Sequence, residues 1–316
     1  MFQRLNNRPD FAAVQAFATV ADVGSFRAAA LALSAPVSTI SVQVSRLEKR
    51  LGTKLLERTT RRVTLTEEGR TYFKQIRSAL DTMTEAEQLI AGRKHEARGR
   101  LRIAAPTELG RAMLGRVLAG YTRQYPDVDL EIELTDERLD PRRDGVDVVI
   151  QTDPASSPLL AARKLGSPMK YRLVASPEYL ARYGRPSDPR DLSKHRCLAM
   201  GVRRTPTVWR LAKAKTFPTI VHRHHTANSW QLVCDLAIAG HGIARLPEYL
   251  SIVAMADGSL EEILEAFCPP PEQLFAVYAR SRPVPLRITG FLDALKLFFD
   301  AWPGCAVRGQ GSSRRS

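Results

Sequence analysis

Residues 36–52 read PVSTISVQVSRLEKRLG, and the two faces this segment has as a helix limit what can surround it. Ile40, Val44, Leu47 and Leu51 recur at helical spacing, so one face is predicted to be buried. The opposite face carries Ser38, Ser41, Val42 and Ser45, all short, and then turns basic at Arg46, Lys49 and Arg50. A solvated helix face ordinarily carries longer charged and polar side chains. A surface this low fits against something that bulky side chains would hold off.

The flanking text gives the helix a setting. Asp10 is placed to cap a first helix from Phe11, with Phe11, Val14 and Phe17 inward and Ala18 and Ala21 near the same face. Gly24 permits a turn, and Ser25 can cap a second helix, Phe26 to Leu33, rich in alanine and leucine. Ser34 and Ala35 make the next turn, and Pro36 suits the first turn of the third helix because no amide hydrogen is needed there. Two helices joined so tightly form a helix-turn-helix, with the third helix outside. After Gly52, Lys54 to Glu57 and Val63 to Leu65 are candidate strands around the loop RTTRR, which makes a wing.

Charge says what the low face meets. The chain of 316 residues has 47 Lys and Arg against 33 Asp and Glu, a formal net charge of +14. That implies a polyanionic partner, double-stranded DNA before an anionic lipid surface. Residues 1–66 are the most basic stretch, with 10 Lys and Arg against 4 Asp and Glu. A recognition helix enters a major groove about 12 Å wide, where serine and threonine hydrogen-bond to base edges or phosphates and valine touches a thymine methyl. The candidate DNA contacts are Ser25, then Pro36, Val37, Ser38, Thr39, Ser41, Val42, Ser45 and Arg46 on the third helix, then Arg58, Thr59, Arg61 and Arg62 on the wing. The alternative is a solvated amphipathic helix on an ordinary domain.

The order GSFRAAALAL, then STISVQVSRLEKRLGTKLLERTTRRVTLTEEG, resembles the winged helix-turn-helix of LysR-type transcriptional regulators, and the likeness continues to about residue 303. It looks closest to members with RTTRR in the wing and with SPEYLARYG and DLSKHRCL in the sensor domain. Many members carry a polar residue at the place of Val37 and an arginine at the place of Val42. The departure implies fewer hydrogen bonds to bases here, with more weight on methyl contacts and DNA shape. The resemblance also implies a linker helix that dimerises the chain, usually within tetramers. Beyond it come two Rossmann-like lobes, like type 2 periplasmic binding proteins, with two crossover strands and a small-molecule effector in the cleft.

The residues can be read alongside. Thr66 can cap a helix whose first turn holds Glu67 and Glu68. Phe73, Ile76, Leu80, Met83 and Ile90 make a seam suited to a two-stranded coil, broken at Glu87. The alternative is a helix packed on its own domain. From residue 99 on, strands such as DLEIEL, GVDVVIQ and YRLVAS alternate with helices, which indicates α/β lobes with mostly parallel sheets. The expected division is a DNA-binding domain at 1–66, a linker helix and hinge at 67–98, and a regulatory domain at 99–303. Its first lobe takes 99–168 and 275–303, its second takes 169–274, and a disordered tail follows at 304–316.

Thr107 follows a strand and starts a helix, where free amides and a hydroxyl can take an anion, and Glu108 follows it. Asn228 and Ser229 precede another helix, Thr152 follows a strand, and Gly240 and Gly242 allow close backbone approach. These residues predict a small, anionic effector, the alternative being caps and turns without a ligand. The run HRHH at 222–225 cannot converge on a metal along a strand without a bend. Asp144 and Asp147 read as a turn rather than paired acids. Cys197, Cys234, Cys268 and Cys305 are widely spaced and read as free thiols. No cofactor is implied, and no nucleophile elbow, phosphate loop or deaminase motif appears, so an enzyme is not expected. No apolar run reaches a membrane span of roughly 18 residues, and the start lacks a signal-peptide core, so a cytoplasmic protein without a membrane partner is expected. A homodimer or homotetramer, with RNA polymerase as a candidate partner, completes this reading. The alternative from another class is a solute-binding module or enzyme with an accessory basic domain.

Overall fold

The computed structural model describes residues 9–58, 63–90, 97–155, 157–201, 207–209, 211, 219–221, 223–281 and 283–302. Contacts divide the chain into a first unit, Met1–Ala97 with Arg138–Asp147, and a second, Arg98–Glu137 with Val148–Ser316.

In the first unit, α1 (Phe11–Val23) starts where Asp10 Oδ1 accepts from the Ala13 amide at 3.3 Å, and stops at Gly24, φ 64°. In the same way Ser25 Oγ accepts from the Ala28 amide at 3.3 Å to begin α2 (Phe26–Ala32). α3 (Val37–Leu51) follows Pro36, whose extended backbone holds the cap position, one residue earlier than a place inside the first turn. The three helices close over Val14, Phe17, Val20, Ala29, Ala30, Ile40, Val44 and Leu47, the alanines bringing α2 close. Two expected core residues lie outside it. Phe11, in the first turn of α1, is 55% exposed, and Leu51, at the last residue of α3, is 40% exposed. Glu48, 4% exposed, turns inward where Leu51 was expected. Its carboxylate accepts from the Leu55 and Leu56 amides at 3.0 and 3.2 Å and from Lys54 Nζ at 2.8 Å. Burial pushes this carboxyl up, but those three donors together outweigh it and hold the group below the usual range.

That use of two amides explains a register difference. The first wing strand, expected from Lys54, is β1 (Leu56–Arg58), paired antiparallel with β2 (Val63–Leu65), Leu56 opposite Leu65. Thr66 Oγ1 then accepts from the Gly69 amide at 2.9 Å, the predicted cap of α4 (Glu67–Ile90). Phe73, Ile76 and Leu80 lie partly buried against the core of this unit, and the Phe17 ring meets Tyr72 and Phe73. The first half of the seam is thus spent inside the chain, while Met83 is exposed. The side chains of Glu87 and Ile90 lie outside the described residues.

The second unit holds two five-stranded sheets. The chain lays down β3 (Gly99–Ala105), α5 (Thr107–Gln124) and β4 (Val128–Leu134). It passes α6 (Pro141–Asp144), which belongs to the first unit, where Lys74 Nζ stands 3.8 Å from Asp144 Oδ1. Gly145, φ 70°, makes the expected turn toward β5 (Val148–Gln151). β6 (Leu160–Met169) runs into β7 (Tyr171–Ala175), α7 (Pro177–Tyr183) and β8 (Cys197–Met200). β9 (Thr207–Trp209) and β10 (Thr219–Val221) make a separate antiparallel pair. Then come β11 (Arg223–Ala227), α8 (Trp230–Ile238), β12 (Ile243–Pro247), α9 (Glu248–Ala256), β13 (Glu261–Glu262), β14 (Glu272–Ala279) and α10 (Leu286–Ala301).

The sheet orders are β4-β3-β5-β14-β6 and β11-β8-β12-β7-β13. Each has two parallel and two antiparallel pairings, because a single strand, β14 in the first and β7 in the second, runs against the other four, so both sheets are mostly parallel by strand direction, as expected. In the first sheet β6 leads out to the second sheet and β14, the one reversed strand, returns from it. Arg172 on β7 binds Glu248 of α9 and Glu262 of β13, which ties the second sheet to its helix. Among the described residues no single helix is long and apolar enough to cross a membrane.

Candidate functional site

α2 and α3 meet at 107°, inside the range of a helix-turn-helix. The turn is set by Ser34 at φ 50° and by the Ala35 amide donating to the Ala30 carbonyl at 3.0 Å. Ser41 is the exception on α3: it is half-buried at the margin and already engaged, so the outward face is narrower than predicted. With Ile40, Val44, Leu47 and Glu48 turned in, Ser38, Thr39, Val42 and Ser45 face away and are exposed, and Pro36 and Val37 are exposed at the start of the helix. Arg46, Lys49 and Arg50 follow on the exposed side, and Arg46 Nη1 lies 3.3 Å from Asp10 Oδ2, which ties α3 to the start of α1. Ser25 is half-buried; its oxygen is used as the α2 cap and its own hydrogen remains a donor for a second partner. Arg58 ends β1 opposite Val63. Its side chain, with Thr59, Arg61 and Arg62, lies outside the described residues.

In the second unit the predicted effector residues divide into two groups. Glu108, in the first turn of α5, is buried, and its Oε1 accepts from Ser229 Oγ at 2.6 Å. Ser229 caps α8 by accepting from the Leu232 amide at 3.3 Å. One hydrogen bond therefore joins the first helix behind one sheet to the cap of a helix behind the other. The Thr107 amide, predicted to be open, donates to Asp136 Oδ1 at 3.2 Å. Both helix starts offered to an anion already hold a carboxylate of the chain. Asn228 and Thr152 are exposed at the ends of β11 and β5. Gly242 is explained by packing: a Cβ there would come within 2.4 Å of the Arg196 carbonyl oxygen. Gly240, φ 75°, serves the turn after α8.

Sequence reasoning missed an aromatic group beside these residues. The Tyr171 hydroxyl donates to Glu272 Oε2 at 2.9 Å, the Arg245 guanidinium lies over its ring at 4.5 Å, and Trp230 is 6.2 Å away. Burial pushes the Tyr249 phenol up, with Tyr171, Glu108 and Asp136 adding to the shift. No pattern marks these four, because they come from β7, α8, β12 and α9 and meet only in the fold.

His222 and the His224 side chain lie outside the described residues, while His225 stands edge-on to His241 at 5.7 Å. Among the described residues no group of three or more His, Cys, Asp or Glu could hold a metal ion. Burial pushes the Cys197 thiol up to about 12 and, as the largest cause, Cys234 and Cys268 up to about 11, so these thiols stay protonated. Cys305 lies outside the described residues.

Two family models cover most of the chain. One, described as a bacterial regulatory helix-turn-helix protein of the lysR family, matches residues 11–70, and the other, the LysR substrate binding domain, matches residues 94–299. The chain belongs to the LysR family of transcriptional regulators. It is similar to an HTH-type transcriptional regulator of Xanthomonas campestris pv. campestris, 33% identical over 294 residues, covering 90% of this chain and 85% of that one. It is likewise similar to the HTH-type transcriptional regulator CrgA of Neisseria meningitidis serogroup C, 32% identical over 280 residues, covering 88% and 93%. A solved structure of CrgA from Neisseria meningitidis, a LysR-type transcriptional regulator, aligns with a TM-score of 0.59 at 30% identity, covering 92% of this chain and 99% of that one. This LysR regulator therefore pairs a DNA-binding helix-turn-helix with an effector-binding domain. That sets aside a solute-binding module or enzyme with an accessory basic domain.

Proposed function

We propose that this LysR-family regulator is a cytoplasmic, non-enzymatic protein that reads a specific operator with α3 in the major groove and the RTTRR wing on the backbone. The observation that carries this is the outward face of α3, short side chains followed by Arg46, Lys49 and Arg50. Residues 1–66 are the DNA-binding part, 67–98 the dimerising linker and 99–303 the effector part. The unit in action is a homodimer or homotetramer paired through the part of α4 beyond Leu80, and RNA polymerase is its partner at the promoter. The effector is a small acid bound between the two sheets. It reaches the α8 start by displacing Glu108 from Ser229 Oγ, since the chain's own carboxylate marks what that position accepts.

Gel retardation of the chain's own upstream promoter DNA across salt concentrations tests the DNA reading. Two chains, or four, are expected per shifted complex. Arg61→Ala with Arg62→Ala should weaken specific and random DNA alike and flatten the salt slope by roughly one to two units. An unchanged slope removes the wing from DNA, and one chain per complex removes the pairing.

A further inference from the structure

Successive residues of a helix are about 100° apart, which puts Val42 diametrically opposite the inward group Ile40, Val44, Leu47 and Glu48. The centre of the outward face is thus a branched hydrocarbon, 66% exposed, with no apolar neighbour on its row. One turn away lie Ser38 and Ser45, then Arg46, and Lys49 stands two turns on, all exposed. Val37, 45% exposed in the first turn, lies about 140° round the helix from Val42 and is not part of this face. An isolated surface valine is ordinary elsewhere. At the centre of a helix face it brings no helix propensity and no packing, because β-branching restricts its rotamers and, among the described residues, nothing covers it. The patch is too small and too broken by serine and cations to seat a protein. It is complementary to a polyanion that carries small hydrocarbon groups.

The major groove offers one such group, the C5 methyl of thymine. We propose that Val42 packs on a thymine methyl of the operator, so that this regulator's sequence preference rests on methyl groups more than on bidentate hydrogen bonds. The serines around Val42 then serve as short donors to phosphates and base edges that let the helix come close enough for van der Waals contact. This rests on the reading that α3 lies in the major groove, and it adds the chemistry of the contact.

The test uses the intact chain and a preferred site selected from random DNA. The site is remade with uracil in place of thymine, one position at a time, which removes a methyl and leaves every hydrogen-bonding group. At one or two thymines of each half-site, uracil should weaken binding about fourfold, the effect of burying one methyl group. Val42→Ala should bind thymine and uracil sites equally at one of those positions, and about as the wild type binds the uracil site. Val42→Thr, which keeps one methyl, should restore part of the difference. Equal wild-type affinity for every uracil-substituted site overturns the proposal and leaves DNA binding intact. A uracil effect that persists unchanged in Val42→Ala overturns the assignment to this residue. Selection of no preferred sequence at all means that the groove reading itself fails, and the methyl contact with it.

Discussion

Glu48→Ala should loosen the joint between α3 and the wing more than any other single change on α3. The carboxylate is 4% exposed and accepts from the amides of Leu55 and Leu56 at 3.0 and 3.2 Å, so alanine leaves two buried N–H groups without their acceptor. Each such loss costs about 1–3 kcal/mol. The Lys54 partner is mostly exposed and adds little. The sum is about 3 kcal/mol for this joint, and at roughly 1.4 kcal/mol per factor of ten that is about a 100-fold change in local opening. Hydrogen-exchange mass spectrometry on the intact chain reads it in peptides covering the end of α3 and β1. Glu48→Gln, which keeps one carbonyl acceptor, should fall between wild type and alanine. The sign with pH follows from a carboxyl held below its ordinary value. The contribution is complete above the unfolded glutamate pKa, about 4.3, and is lost as pH falls through the folded value. If exchange in Glu48→Ala stays within about threefold of wild type at neutral pH, the carboxylate does not hold this joint.

Two further outcomes are expected. Gly69→Ala should destabilise the first unit by several kcal/mol, because the new Cβ would lie 2.0 Å from the Leu55 carbonyl oxygen, backbone that cannot yield without moving the hairpin; a thermal melt unchanged from wild type would show that the contact relaxes freely. Glu108→Gln should tighten binding of a small organic acid about tenfold in calorimetry, since the acid no longer displaces a like charge from Ser229 Oγ, and unchanged or weaker binding, or a response only to cationic compounds, would refute displacement by an acid.

The local elements of the first unit were legible in the sequence because their signals are local. Asp10, Ser25 and Thr66 each accept from an amide three residues on, a relation that spacing alone conveys. The 3.6-residue period placed Ile40, Val44 and Leu47 inward for the same reason. Periodicity failed at the ends of helices, where neighbours set burial. Leu51 fits the stripe but runs past the core, and Glu48 breaks it but finds two amides of the next segment. The seam of α4 showed the same limit: an apolar stripe says that something covers it, and only packing shows that Phe73, Ile76 and Leu80 are covered by the chain's own domain. In the second unit the helix starts at Thr107 and Ser229 were found, yet their availability was misjudged. Asp136 and Glu108, the groups that hold them, come from distant segments, and no pattern along the chain records a hydrogen bond between residues 108 and 229. Residue type and spacing determined the class of fold and the helix-turn-helix. Which polar groups remain open to a ligand was decided by tertiary contacts, since a donor already matched within the chain looks the same in sequence as one that is free.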